Sequence, residues 1–102
     1  MSASTDRHVV IVFFEVRPEA RDAFRKAVLE NAAASVRDEP GCLTFDVCED
    51  AAGEFFLYEL YASAKAFEAH LAMPHFKAFD ALCRDWVVSK RVQRYERLAA
   101  GA

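Results

Sequence analysis

Residues 58–79 read YELYASAKAFEAHLAMPHFKAF, and the period of the apolar residues changes part-way through. Tyr58 to Tyr61 close the run EFFLYELY (54–61), which is apolar on both faces, as in a strand buried inside a sheet. Ser63 then suits the N-cap of a helix, because its hydroxyl can accept an N–H that the first turn leaves without a partner. Ala66, Phe67, His70 and Leu71 fall on one side of that helix. Pro74, which has no N–H to satisfy, restarts helical geometry. Phe76, Phe79, Cys83 and Trp86 carry the apolar stripe onward. The segment is therefore a strand followed by a broken helix, with Glu59, His70 and His75 set among aromatics.

Upstream, His8 to Val16 (HVVIVFFEV) is almost continuously apolar and reads as a second strand buried on both faces. Pro18 opens a helix predicted over Glu19 to Asp38, with Phe24, Ala27, Val28, Asn31 and Ser35 along one side. Pro40-Gly41 ends it, and Asp38-Glu39 reads as a solvated helix end. Cys42 to Glu49 alternates, with Leu43, Phe45 and Val47 on one face and Thr44 and Asp46 on the other. That is the pattern of a half-buried strand near a sheet edge. Asp50 to Gly53 is a hairpin-sized connection. Downstream, Val87 to Tyr95 forms a last strand.

The order β-α-β-β-α-β predicts an α+β domain of the ferredoxin-like kind, a four-stranded antiparallel sheet with its helices on one face. The first and third strands are central in that arrangement, and these are the two that read as apolar on both sides. Residues 8–98 make one domain, between a flexible start (1–7) and a flexible tail (99–102). Helices covering one face leave apolar side chains on the other, and a patch that large on a small domain marks an interface. The expectation is a homodimer joined through the open sheet face.

A chain of 102 residues with 54% hydrophobic residues, nine Phe, three Gly and three Pro has a folding composition. A net charge of -3 and a pI near 5.6 give no electrostatic reason to bind nucleic acid. No run of about 18 apolar residues is present to cross a membrane, and the first seven residues lack the apolar core of a signal peptide. Cys42 and Cys48 lie six residues apart on one strand, about 20 Å, too far for a disulfide. With Cys83 they read as buried free thiols of a reducing compartment, so the expected location is the cytoplasm.

Glu59 is a carboxylate in a strand apolar on both faces, and burial of such a group raises its pKa unless it is paired. It marks either a site or a strand end reaching solvent or an arginine such as Arg91 or Arg94. His70 shares the helical face of Phe67 and points to the core or a pocket rim. His75 follows Pro74 in a helical first turn, where the positive end of the dipole works against an imidazolium. Either ring could instead be structural. Asn31 stands in an apolar stripe and needs hydrogen-bond partners, from backbone or from a pocket. No HxxxH or HExxH spacing is present and a helix break separates the two histidines, so no metal is expected. No nucleotide-binding loop, nucleophile elbow or CxxC implies a cofactor.

The stretch LYELYASAKAFEAHLAMPHFKAF, together with ENAAASVRDEPGCLTFDV around Asn31 and Gly41, resembles the antibiotic-biosynthesis monooxygenase family of small dimeric ferredoxin-like proteins. The resemblance spans about His8 to Leu98 and implies a dimeric α/β barrel. One similar branch comprises quinol monooxygenases, which oxidise hydroxylated aromatics with O2 and neither metal nor flavin. Another processes autoinducer-2 by acting on a phosphorylated pentanedione. Both resemble this chain at Glu59, His70 and His75, the second also at Asn31. A haem-degrading branch uses an Asn, a Trp and a His. Here the Trp position is His70 and the haem-ligand position is Asp80, a departure that speaks against haem chemistry.

The resemblance implies a cofactor-independent monooxygenase with O2 as co-substrate. His75 is the first candidate base and His70 the second. Glu59 would hold the histidine in one tautomer, Asn31 would hydrogen-bond a carbonyl or peroxide oxygen, and Phe45, Phe56, Tyr58 and Tyr61 would supply walls. One rival is isomerisation of a small phosphorylated diketone, with Lys65, Lys77 or Arg84 holding the phosphate. Another is a non-catalytic dimeric binding or stress-associated module.

Overall fold

In the computed structural model, which describes residues 7–101, β1 (His8–Val16) alternates strictly from Val10 onward. Val10, Val12, Phe14 and Val16 are buried, while Ile11 and Phe13 are half-buried and Glu15 is exposed. The buried set faces the helices. The flexible N-terminal stretch expected over 1–7 lies outside the described residues apart from Arg7, as does Ala102 of the expected tail.

After a 3-10 turn at Pro18–Ala20 come α1 (Arg21–Asp38), β2 (Cys42–Glu49), β3 (Phe55–Tyr61), α2 (Ala64–Leu71), α3 (Pro74–Trp86) and β4 (Val87–Glu96). The sheet order is β2-β3-β1-β4, every pair antiparallel, so the two strands read as central are central. This is the α+β ferredoxin-like architecture. Phe24 and Val28 of α1, Phe67 of α2 and Phe79 and Cys83 of α3 pack on Phe14, Phe55 and Leu57 to form the core. Among the described residues no helix is long and apolar enough to cross a membrane.

Local chemistry explains the element ends. Ser63 Oγ accepts the Ala66 N–H at 3.1 Å, capping α2 as its position suggested. Asp50 Oδ1 accepts from the N–H groups of Ala52 and Glu54, closing the β2–β3 hairpin, with Gly53 at φ 82°. Gly41 lies against α2, and a Cβ there would stand 2.6 Å from Ala66 Cβ.

Three expectations need correction. A register shift between Cys42 and Thr44 swings Leu43 outward, to 40% exposure, so it does not share the inner face with Phe45 and Val47. Cys48 is exposed, whereas Cys42 and Cys83 are buried; all three are free. Glu39 is buried, not a solvated helix end. Proline disfavours helical backbone at the residue before it, so Pro40 forces Glu39 to φ -110°, ψ 107° and takes it off the solvent side of α1.

Candidate active site

Strand β3 carries Phe55, Leu57, Glu59 and Tyr61 on its helix side and Phe56, Tyr58 and Leu60 on its open side. Glu59 therefore points beneath the helices, where it is 3% exposed. Its partner is the Tyr61 hydroxyl, which donates to Glu59 Oε1 at 2.6 Å; neither Arg91 nor Arg94 reaches it. Burial outweighs that bond and pushes the Glu59 carboxyl up to about 7. The same burial, with Glu59 beside it, pushes the Tyr61 phenol far above its ordinary value.

His70, on the inner face of α2, is 2% exposed and packs among Phe45, Tyr61, Phe67 and Phe76. Its Nδ1 lies 2.9 Å from Glu39 Oε2, and His75 Nε2 lies 2.5 Å from the same oxygen. Burial lowers the His70 pKa, outweighing Glu39, which pulls it up, so the balance favours the neutral ring. The break between α2 and α3 thus brings the two rings together on one carboxylate, with centroids 6.1 Å apart. That carboxylate is Glu39 and not Glu59, so the residue expected to orient the histidine is corrected. Glu39 was missed because an acidic pair at a helix end is ordinarily solvated. The one signal was Pro40, which takes the preceding residue out of the helix.

Glu59, His70, Asn31 and Phe45 line one cavity of about 60 Å³, walled by Val10, Val12, Leu57, Phe67 and Phe79. Asn31, 4% exposed on α1, has its Oδ1 buried with no hydrogen-bond partner among the described residues. Its backbone carbonyl accepts the Ser35 hydroxyl at 2.7 Å. Leu71, Phe76, Lys90 and Val92 complete the cavity at its outer edge, with Val92 on edge strand β4 and 45% exposed. His75 does not border this cavity. It lines a shallower depression of about 290 Å³ between α1 and α3, which Asn31 also touches.

The expected aromatic walls divide across the sheet. Phe45 and Tyr61 lie on the helix side, where Phe45 lines the cavity and Tyr61 does not, while Phe56 and Tyr58 lie on the open side and do not reach it. Phe56 instead packs on Phe13, 5.1 Å between centroids, beside a larger open cleft toward the Phe55 end of the sheet. That cleft, about 480 Å³ and rimmed by Glu15, Glu49, Asp50 and Glu54, holds no histidine. Lys65, Lys77 and Arg84 are exposed and line neither the inner cavity nor the α1–α3 depression.

A neutral imidazole oriented by a buried carboxylate, a second carboxyl that exchanges protons near neutrality, and an apolar wall make an acid–base site. Sequence comparison agrees with the fold. The sequence profile described as antibiotic biosynthesis monooxygenase matches residues 7–82. The chain belongs to this family. It is 40% identical over 73 residues, 71% of each chain, to a Mycobacterium tuberculosis protein named "Putative monooxygenase Rv0793". The solved structure of Rv0793 superposes with a TM-score of 0.87 at 29% identity, covering 95% of this chain and all of that one. A solved structure named "Putative antibiotic biosynthesis monooxygenase from Nitrosomonas europaea" gives a TM-score of 0.87 at 30% identity, covering 92% of each chain. These relatives carry monooxygenase names, and this chain is a monooxygenase-family protein by the same criteria.

Proposed function

We propose that the protein is a cofactor-independent monooxygenase that oxidises a small hydroxylated aromatic of the quinol type with O2. The observation that carries this reading is the joint lining of one apolar cavity by His70, Glu59 and the orphaned Asn31 Oδ1. With Nδ1 held by Glu39, His70 has Nε2 as its free nitrogen, and its neutral state suits it to accept a phenolic proton. That moves the role of base from His75, first choice on sequence, to His70, with Glu39 and not Glu59 orienting the ring. His75 acts on the far side of Glu39. Asn31 Oδ1 and Glu59 offer acceptors to a second hydroxyl, and apolar walls favour a ring.

The deprotonated quinol is electron-rich enough to pass electrons to O2. One oxygen atom enters the ring at a carbon that loses hydrogen and becomes a carbonyl, and the other leaves as water. The substrate supplies both electrons for that water, so the reaction balances without a further reductant. A cavity of about 60 Å³ is smaller than the ~150 Å³ that admits benzene, so Phe76 or Lys90 must swing aside on binding. Isomerisation of a phosphorylated diketone is less well supported. Lys90 is the one cation lining this cavity among the described residues, and its Nζ lies 5.6 Å from the Phe14 ring centre.

The dimer belongs to this proposal, with a second copy on Ile11, Phe13, Phe56, Tyr58 and Leu60. So does a cytoplasmic location, which suits the exposed free thiol of Cys48. The test is O2 uptake with a panel of hydroquinones, beside turnover of a phosphorylated diketone. Uptake in the wild type should fall about 10²–10⁴-fold in His70→Gln. Turnover of the diketone without O2, or uptake that survives in His70→Gln, would sink the reading.

A further inference from the structure

Glu39 presents a problem that the acid–base reading leaves open. It is a carboxylate 7% exposed, and among the described residues no lysine or arginine forms an ion pair with it. Among the described residues its carboxylate oxygens meet the two imidazoles and no other side chain. A buried charge without a cation costs several kcal/mol. Two imidazole nitrogens and a carboxylate are also the donor set of three-ligand zinc sites.

We propose that Glu39, His70 Nδ1 and His75 Nε2 form a binding site for a divalent transition metal of the Zn²⁺ type, and that its occupancy silences the base. The three donor atoms already lie within 4.8 Å of one another. Around a tetrahedral ion with bonds of about 2.0–2.1 Å, donors stand about 3.4 Å apart. The present separations from Glu39 Oε2, 2.9 Å to His70 and 2.5 Å to His75, need to open by less than about 1 Å. Access runs through the α1–α3 depression, where His75 is 16% exposed and solvent can supply the fourth ligand.

The inhibitory effect follows from imidazole chemistry and rests on the proposed role of His70 as base. A metal on Nδ1 displaces the proton there, and the neutral ring then carries its hydrogen on Nε2. The nitrogen left for the cavity becomes a donor and no longer accepts a phenolic proton. The ion would sit on the Nδ1 edge of the ring, away from the cavity, so it would not meet the bound quinol. The site is thus a switch on the base and not an oxygen-activating centre.

The experiment uses the full chain carrying Cys48→Ser, which removes the exposed thiol. Co²⁺ is titrated while visible absorption is followed, and Zn²⁺ is titrated by calorimetry. One equivalent of each should bind, with the Co²⁺ spectrum of a low-coordinate nitrogen and oxygen site and no thiolate band. Zn²⁺ should raise Tm by several degrees. His75→Ala and Glu39→Gln should each weaken binding by roughly 100-fold or more. Should either variant fold poorly, imidazole nitrogen NMR of the parent chain decides: Zn²⁺ should shift the His70 and His75 rings and leave His8 unmoved. O2 uptake should fall in proportion to bound Zn²⁺.

Absence of stoichiometric binding, binding that persists in both variants, or a shift confined to His8 overturns the site. Uptake unchanged at full occupancy, or raised by ferrous ion, overturns the silencing. If the metal binds as stated but no quinol is oxidised at all, the metal site stands and the monooxygenase reading falls.

Discussion

Glu39 and Glu59 are both buried carboxylates, and their surroundings give them different chemistry. Glu39 sits between two imidazoles, whereas Glu59 has one phenol and apolar walls, so burial dominates and lifts its carboxyl to about 7 from 4.5. Between those two values the folded chain keeps a proton that the unfolded chain has released. Glu59 therefore favours folding least above pH 7, and stability falls as pH rises through that window. That rise corresponds to on the order of 3 kcal/mol. Glu59→Gln should be little changed at pH 4.5 and more stable than wild type at pH 8 by up to that amount. Urea unfolding of both proteins across the window checks this, and parallel pH curves would rule it out. His70, with a lowered pKa, acts in the opposite sense, its contribution to stability being lost as pH falls below 6.5, and it cancels in the difference. Tyr61→Phe removes the donor that opposes the shift, so it should push the Glu59 carboxyl higher still.

At the scale of elements, α2 is the piece whose position decides the site. Its start is held by Ser63 and its approach to the sheet is set by Gly41. Ser63→Ala should cost about 1 kcal/mol, measured by chemical unfolding. Gly41→Ala drives a methyl group to 2.6 Å from Ala66 Cβ, a contact that α2 can relieve only by moving off β2. That displacement carries His70 with it. The variant should lose about 1–3 kcal/mol and a disproportionate share of O2 uptake. Adding Ala66→Gly should return the uptake even though glycine costs the helix about 1 kcal/mol. If activity instead followed stability in both variants, the positioning argument would fail.

At the scale of the molecule, the helices cover one side of the sheet and leave Ile11, Phe13, Phe56, Tyr58 and Leu60 half-buried on the other. A second copy against this face would remove them from water. Light scattering should report a dimer for the wild type and a monomer for Tyr58→Asp, which sets a charge in the middle of the patch. A monomeric wild type would leave the face for some other partner.

The order of elements, the two central strands and the inward aim of His70 were legible in residues 8–95, because hydrophobic period reports which sides of an element meet the core. The same signal is silent where both sides are apolar. In EFFLYELY no contrast distinguishes the side of Phe56 and Tyr58 from the side of Glu59 and Tyr61, and the pairing of β3 under the helices decided it. The bulge at Leu43 likewise depends on its partner strand. Glu39 is the sharpest case. Its extended backbone is local and follows from Pro40, but its burial exists only because α2 and α3 deliver two imidazoles, from residues 31 and 36 positions along the chain, to one carboxylate. Local pattern determined the parts, and the packing of distant segments decided which charges meet.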